Sequence, residues 1–183
     1  MSADSAQTAP SPHVEPLFEA GALAARVAEL GREIDRDLAP EDPLLLALLG
    51  GSVIFLADLV RAIERPFRFE FVSVGASDAP DAEVTDLHYP IPVELEGQNV
   101  LLVKDVVASG IVETYLQQQI RSRGAASVRL AALIDLPDER KTELRVDYHA
   151  FSAHRVGTLV GYGLKHQGRW GNLPFVGRLA AGA

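Results

Sequence analysis

The stretch VLLVKDVVASGIVETYL, Val100 to Leu116, decides the class of the fold. Val100–Val103 are continuously apolar, as in a strand buried on both faces of a parallel sheet. The spacing predicts a strand over 100–105, a tight turn at Ser109-Gly110 and a helix over 111–122. That order makes a phosphate cradle: glycine lets backbone amides approach an anion, and a helix N-terminus adds its positive dipole. It is equally the order of a plain βα turn. Asp105 has the same double reading, as a holder of ribose hydroxyls or as a polar strand end.

Working outward, Leu23, Val27, Leu30, Ile34 and Leu38 recur at helical steps and predict an amphipathic helix over 19–38. LLLALL (44–49) reads as a second doubly buried strand, followed by Gly50-Gly51-Ser52 and a helix over 53–64 that stops before Pro66. Phe67, Phe69 and Phe71 alternate with polar residues in a strand over 67–74. Residues 75–96 are small, acidic and aperiodic, which suits a lid or an excursion, with short strands within VTDLHYPIPVEL. Further strands are expected over 128–134, 146–151 and 158–164, with PDERKTE (137–143) as a surface loop. Strands alternating with helices predict an α/β fold, a doubly wound and mostly parallel sheet flanked by helices. Its ligands would bind beyond the carboxyl ends of the strands. Residues 1–16, rich in Ser, Ala and Pro, read as a disordered tail before one domain over 17–183.

A net charge of −8 argues against nucleic acid or an anionic membrane as partner, since both need a basic field. The absence of cysteine excludes disulfides, thiolate catalysis and Cys-type zinc sites. No apolar run approaches the roughly 20 residues that span a bilayer. The N-terminus lacks the charged and apolar regions of a secretory signal, so the cytoplasm is the expected location. His149 and His154 would not share a face, Trp170 reads as packing, and no serine sits in a nucleophile elbow.

Taken together, the two glycine junctions and their surroundings resemble the hypoxanthine-guanine phosphoribosyltransferase family over nearly the whole chain after the tail. LFEAGALAARVAELGREIDRDL is similar to the family's opening helix. LLLALLGGSVIFLADLVRAIERPFRFEFVSV is similar to its first strand, pyrophosphate loop, helix and next strand. LEGQNVLLVKDVVASG stands where the phosphoribosyl-diphosphate (PRPP) signature belongs, and LVGYGLKHQGRWGNLPFVGRL resembles the purine hood and tail. The resemblance implies a type I phosphoribosyltransferase fold with a small hood. It also implies transfer of ribose 5-phosphate from PRPP to a purine nitrogen, with Mg2+ on the diphosphate.

Residue by residue, the resemblance implies a phosphate and ribose site at Lys104, Asp105, Ala108, Ser109, Gly110, Ile111 and Val112. It implies a pyrophosphate loop at Gly50, Gly51 and Ser52, and a base pocket at Leu136, Thr158, Leu159 and Lys165. Several positions depart from the family pattern. Lys104 replaces the first of two ribose-holding acids and Ala108 the aspartate that handles the purine proton. Val112 replaces a phosphate-loop threonine, Gly50 a basic residue and Leu136 the purine-recognising lysine. Thr158 replaces the stacking aromatic, Lys165 the magnesium aspartate, and Gly75-Ala76 the mobile loop's Ser-Tyr pair. The diphosphate arginine falls near Gly171, two residues from Arg169.

The leading expectation is therefore a phosphoribosyltransferase-fold protein that binds a purine nucleotide or other phosphate-bearing molecule, with weak or no transferase activity and a regulatory role. The alternative is an active, divergent purine phosphoribosyltransferase that uses Mg2+, with Asp105 as its essential acid. A third reading has the old site filled by Leu136, Val112 and the lysine side chains. The family implies a homo-oligomer, which the lightly charged helix faces permit.

Overall fold

The computed structural model describes residues 14–75, 86–88 and 93–180. The elements, in chain order, are β1 (Val14–Phe18), α1 (Ala20–Leu38), β2 (Leu44–Leu48), α2 (Ser52–Arg61), β3 (Arg68–Gly75) and β4 (Asp86–His88). Then come β5 (Asn99–Val107), α3 (Ile111–Ser122), β6 (Ser127–Asp135), β7 (Tyr148–Ser152), β8 (Leu159–Val160) and β9 (Val176–Leu179).

Side chains alternate across a strand, and both faces of β2 find a core. Leu45 and Ala47 join Leu23, Leu30 and Ile34 of α1 and Phe55 and Leu59 of α2 on one face. Leu44, Leu46 and Leu48 join Leu116 and Ile120 of α3 on the other. This is why β2 and β5 are apolar without interruption. The main sheet runs β4-β3-β2-β5-β6-β7, with β4 antiparallel to β3 and the other five strands parallel. From β2 the chain steps to β3 on one side and later to β5 on the other. The strand order therefore reverses between β2 and β5, and their carboxyl ends open a crevice.

A second, antiparallel sheet β1-β9-β8 forms the hood. Phe18 of β1 stacks on Phe151 of β7 at 4.2 Å, and the Tyr162 hydroxyl donates to the Asp58 carboxylate of α2. Burial, and then that bond, raise the Tyr162 pKa above its ordinary value, so the phenol stays a donor.

The hood corrects two expectations. Val14–Pro16, assigned to the tail, pair with β9; Pro16 is tolerated because β1 is an edge strand. Only Leu159–Val160 of the 158–164 strand form one, since Gly161, Tyr162 and Gly163 all take positive φ and turn the chain. β5 continues two residues beyond 105, through Val107. The rest of the tail and most of the expected lid, residues 76–85 and 89–92, lie outside the described residues. No described helix is long and apolar enough to cross a membrane.

Candidate functional site

At the crevice the Gly50-Gly51 turn and the end of β5 border one cleft of about 480 Å³, lined by Gly50, Gly51, Asp105, Val106, Ala108, Leu136, Glu139, Gly157, Leu159, Gly163, Leu164 and Lys165. Lys104, Ser109, Gly110, Ile111 and Val112 lie off that lining, and Gly110 faces Arg140, Thr142 and Leu144. Gly51 is the N-cap of α2, without a side-chain cap bond, so the first-turn amides of that helix have no intrahelical acceptor. Ser52 differs from its expected role: it is fully buried and its hydroxyl donates to the Leu48 carbonyl, which leaves only Gly50 and Gly51 of that trio on the cleft. The hood meets this loop through backbone. A Cβ on Gly163 would stand 2.4 Å from the Gly51 carbonyl oxygen, and one on Gly51 would fall 2.2 Å from Asp105 Oδ2.

The second junction turns on Gly110, whose φ of 76° caps α3. The Ile111 amide donates to Ser109 Oγ at 3.4 Å, and Thr114 N–H reaches the Gly110 carbonyl at 2.9 Å. Ala108 lines the cleft and Ile111 is exposed, while Val112 packs towards the core under α3. Because Val112 points away and Leu136 forms a wall, the cleft stays open; the filled-site expectation is not met.

Asp105 is buried, and its Oδ1 accepts both the Lys104 ammonium and the Val106 amide, the latter at 2.8 Å. Glu113, on the first turn of α3, is buried close enough to Lys104, Asp105 and Arg140 to interact with each. Desolvation raises its pKa above the ordinary 4.5, against a lowering backbone hydrogen bond and the two cations. The folded chain therefore holds this proton more tightly than the unfolded one. The stability involved is complete below pH 4.5 and is lost as pH rises through the folded value. Glu113→Gln is thus expected to gain in melting temperature over the parent as pH climbs above 4.5, with the smallest difference at the acid end. A difference independent of pH would contradict a desolvated carboxyl.

The segment expected as a surface loop is a buttress. Arg140 places one nitrogen on Asp135 Oδ1 and another on the Ala108 carbonyl at 3.2 Å. Lys141 N–H donates to the Ser109 carbonyl at 2.9 Å, and the Thr114 and Thr142 hydroxyls lie 3.0 Å apart. The turn over 108–110 is thus held by 140–142. Sequence reading missed Glu113, Glu139 and Arg140. The available signal was an acid and a base flanking a Pro-containing turn, Asp135 and Arg140, together with a lysine inside an apolar strand that needs a counter-charge.

Leu136, just after β6, is buried, while on the hood side Leu159 is half-buried and Lys165 exposed, all three lining the cleft. Thr158 is exposed and does not line it; Gly157 stands there instead. Arg169 and Gly171 also lie off the lining, with Arg169 pairing its backbone to His166. His154 pairs with Asp138 at 2.9 Å and the His149 carbonyl accepts from Arg26, so the two histidines serve separate contacts. No three His, Cys, Asp or Glu residues converge among the described ones. Asp105 is taken by Lys104 and Asp135 by Arg140, so these residues do not fit a resident magnesium ion.

Comparison with known proteins agrees with this geometry. Residues 13–166 match the phosphoribosyl transferase domain model. The hypoxanthine-guanine phosphoribosyltransferase of Mycobacterium avium is 37% identical over 171 residues, covering 89% of this chain and 84% of the relative. That of Bacillus subtilis is 32% identical over 160 residues, covering 86% and 88%. The crystal structure of a hypoxanthine-guanine phosphoribosyltransferase from Bacillus anthracis superposes with a TM-score of 0.83 at 28% identity, covering 93% of this chain and all of that one. A matched domain, relatives above 30% identity over most of both chains, and a superposition with a TM-score of 0.83 lead to one assignment: the chain belongs to the hypoxanthine-guanine phosphoribosyltransferase family, with the type I phosphoribosyltransferase fold.

Proposed function

We propose that the cleft takes up a phosphoribosyl ligand, PRPP or a purine nucleoside monophosphate, and that the chain transfers the phosphoribosyl group from PRPP to a purine base with release of diphosphate. The observation carrying this is the single cleft that joins the Gly50-Gly51 loop, Asp105 and Leu159 at the reversal point of the sheet. The 5'-phosphate would sit beside the cleft at the start of α3, on first-turn amides among Ser109, Gly110, Ile111 and Val112, replacing the 3.4 Å bond from the Ile111 amide to Ser109 Oγ. Asp105 would hold the ribose hydroxyls, and the base would lie between Leu136 and Leu159. Relatives named as hypoxanthine-guanine phosphoribosyltransferases support turnover more than they support the expectation of a mere binder.

A second reading, binding with little turnover, is favoured by one specific arrangement: the Asp105 carboxylate is shared with Lys104, and Ala108 offers no proton-transfer group. Loss of such a group costs about 10²–10⁴-fold in rate. Diphosphate release from PRPP with hypoxanthine or guanine separates the two. Release that Asp105→Asn reduces by at least about tenfold supports the transferase, as expected for a lost charge-assisted contact. Nucleotide binding with no release supports the binder. A chain that neither binds nor releases contradicts both.

A further inference from the structure

Lys165 stands on the cleft wall where the family resemblance expects a magnesium carboxylate. Its stem lies against Gly171, where an added Cβ would come 2.9 Å from Lys165 Cγ, and it forms no ion pair with a described residue. The neighbouring hood residues hold it beside the pyrophosphate loop: Gly163 abuts the Gly51 carbonyl, and Leu164 Cδ2 would lie 3.0 Å from a Cβ on Gly51. Gly51, on the same cleft, is the N-cap of α2, whose first-turn amides are without intrahelical acceptors.

The carboxylates that could attract a metal are mostly committed. Lys104 neutralises Asp105, Arg140 neutralises Asp135, and Glu139 remains as an exposed rim residue. A divalent cation entering this corner meets Lys165 and, on the lining, no unpaired acid besides exposed Glu139. A phosphate entering it meets a cation and amides, and lysine binds phosphate as a point charge on a flexible stem.

We propose that this cleft binds the diphosphate or phosphate of its phosphoribosyl ligand without magnesium, Lys165 and the Gly50-Gly51 turn supplying the contacts a metal would otherwise make. The inference rests on the phosphoribosyl reading of the cleft, and one experiment tells the two apart. PRPP and GMP are titrated calorimetrically into the full chain in EDTA and in excess Mg2+, with Lys165→Ala and Lys165→Asp beside the parent. Lys165 is exposed, so both variants should fold, which thermal melting checks. The parent is expected to bind PRPP in EDTA within about threefold of its affinity in Mg2+, well inside the tenfold that a single charged hydrogen bond represents. Lys165→Ala should weaken binding in EDTA by about ten- to a hundredfold. Lys165→Asp should do the same and recover affinity on adding Mg2+. Parent binding that falls more than about tenfold in EDTA, with Lys165→Ala no weaker than the parent, overturns metal independence and leaves the phosphoribosyl reading standing. No binding of either ligand in either buffer overturns the phosphoribosyl reading, and this inference with it.

Discussion

A Gly163→Ala chain is expected to melt about 6–12 °C below the parent, for roughly 3 kcal/mol lost at a few degrees per kcal/mol in a domain of this size. Two costs combine. Gly163 has φ 96°, a conformation L side chains resist, and its added Cβ would stand 2.4 Å from the Gly51 carbonyl oxygen. The atom in the way is backbone at the head of α2, so relief requires the hood and the Gly50-Gly51 turn to part. Ligand affinity should fall with stability, because the parted elements are two walls of the cleft. Gly168→Ala is the control: φ is 75°, but nothing lies within 4 Å of the added Cβ, so only the backbone cost applies. If the two variants melt and bind alike, the hood does not depend on that contact.

The second large effect is expected from Arg140→Ala, which leaves the Asp135 carboxylate without its partner and the Ala108 carbonyl without its donor. The paired side chains are only 13% and 15% exposed, so solvent screens the stranded charge weakly. Breaking one side of such a pair costs about 3–5 kcal/mol. Urea denaturation should show that loss, and adding Asp135→Asn should recover much of it by removing the stranded charge. GMP titration should show weaker binding in Arg140→Ala, since the loop from Ala108 to Gly110 loses its brace from 140–142. A variant as stable as the parent would mean that Arg140 merely lies on the surface, as its polar neighbourhood suggests.

Helix α3 was legible to the residue, 111–122, because Gly110 marks its start and apolar residues recur at helical steps. The central strands were legible because burial on both faces leaves a continuous apolar run, as in Leu44–Leu48. The hood was not. Pro16 argues against a strand until one knows that β1 lies at an edge, and three successive positive-φ residues interrupt an apolar run that otherwise reads as strand.

At the site, Gly50, Gly51, Asp105, Ala108, Leu136, Leu159 and Lys165 were named from the sequence and share one cleft. Ser52 and Thr158 were named too, but the first points inward and the second stands off the lining. Glu113 and Arg140 escaped because their importance comes from partners on other elements, Lys104 on β5 and Asp135 on β6. Polar loop residues look alike until the fold brings their counter-charges to them.

The most direct test of the phosphoribosyl reading is a crystal structure of the chain grown with GMP. The 5'-phosphate is expected on the amides of Ser109–Val112, the ribose against Asp105 and the guanine between Leu136 and Leu159. A nucleotide bound elsewhere on the surface, with the 480 Å³ cleft left empty at saturating GMP, would contradict it.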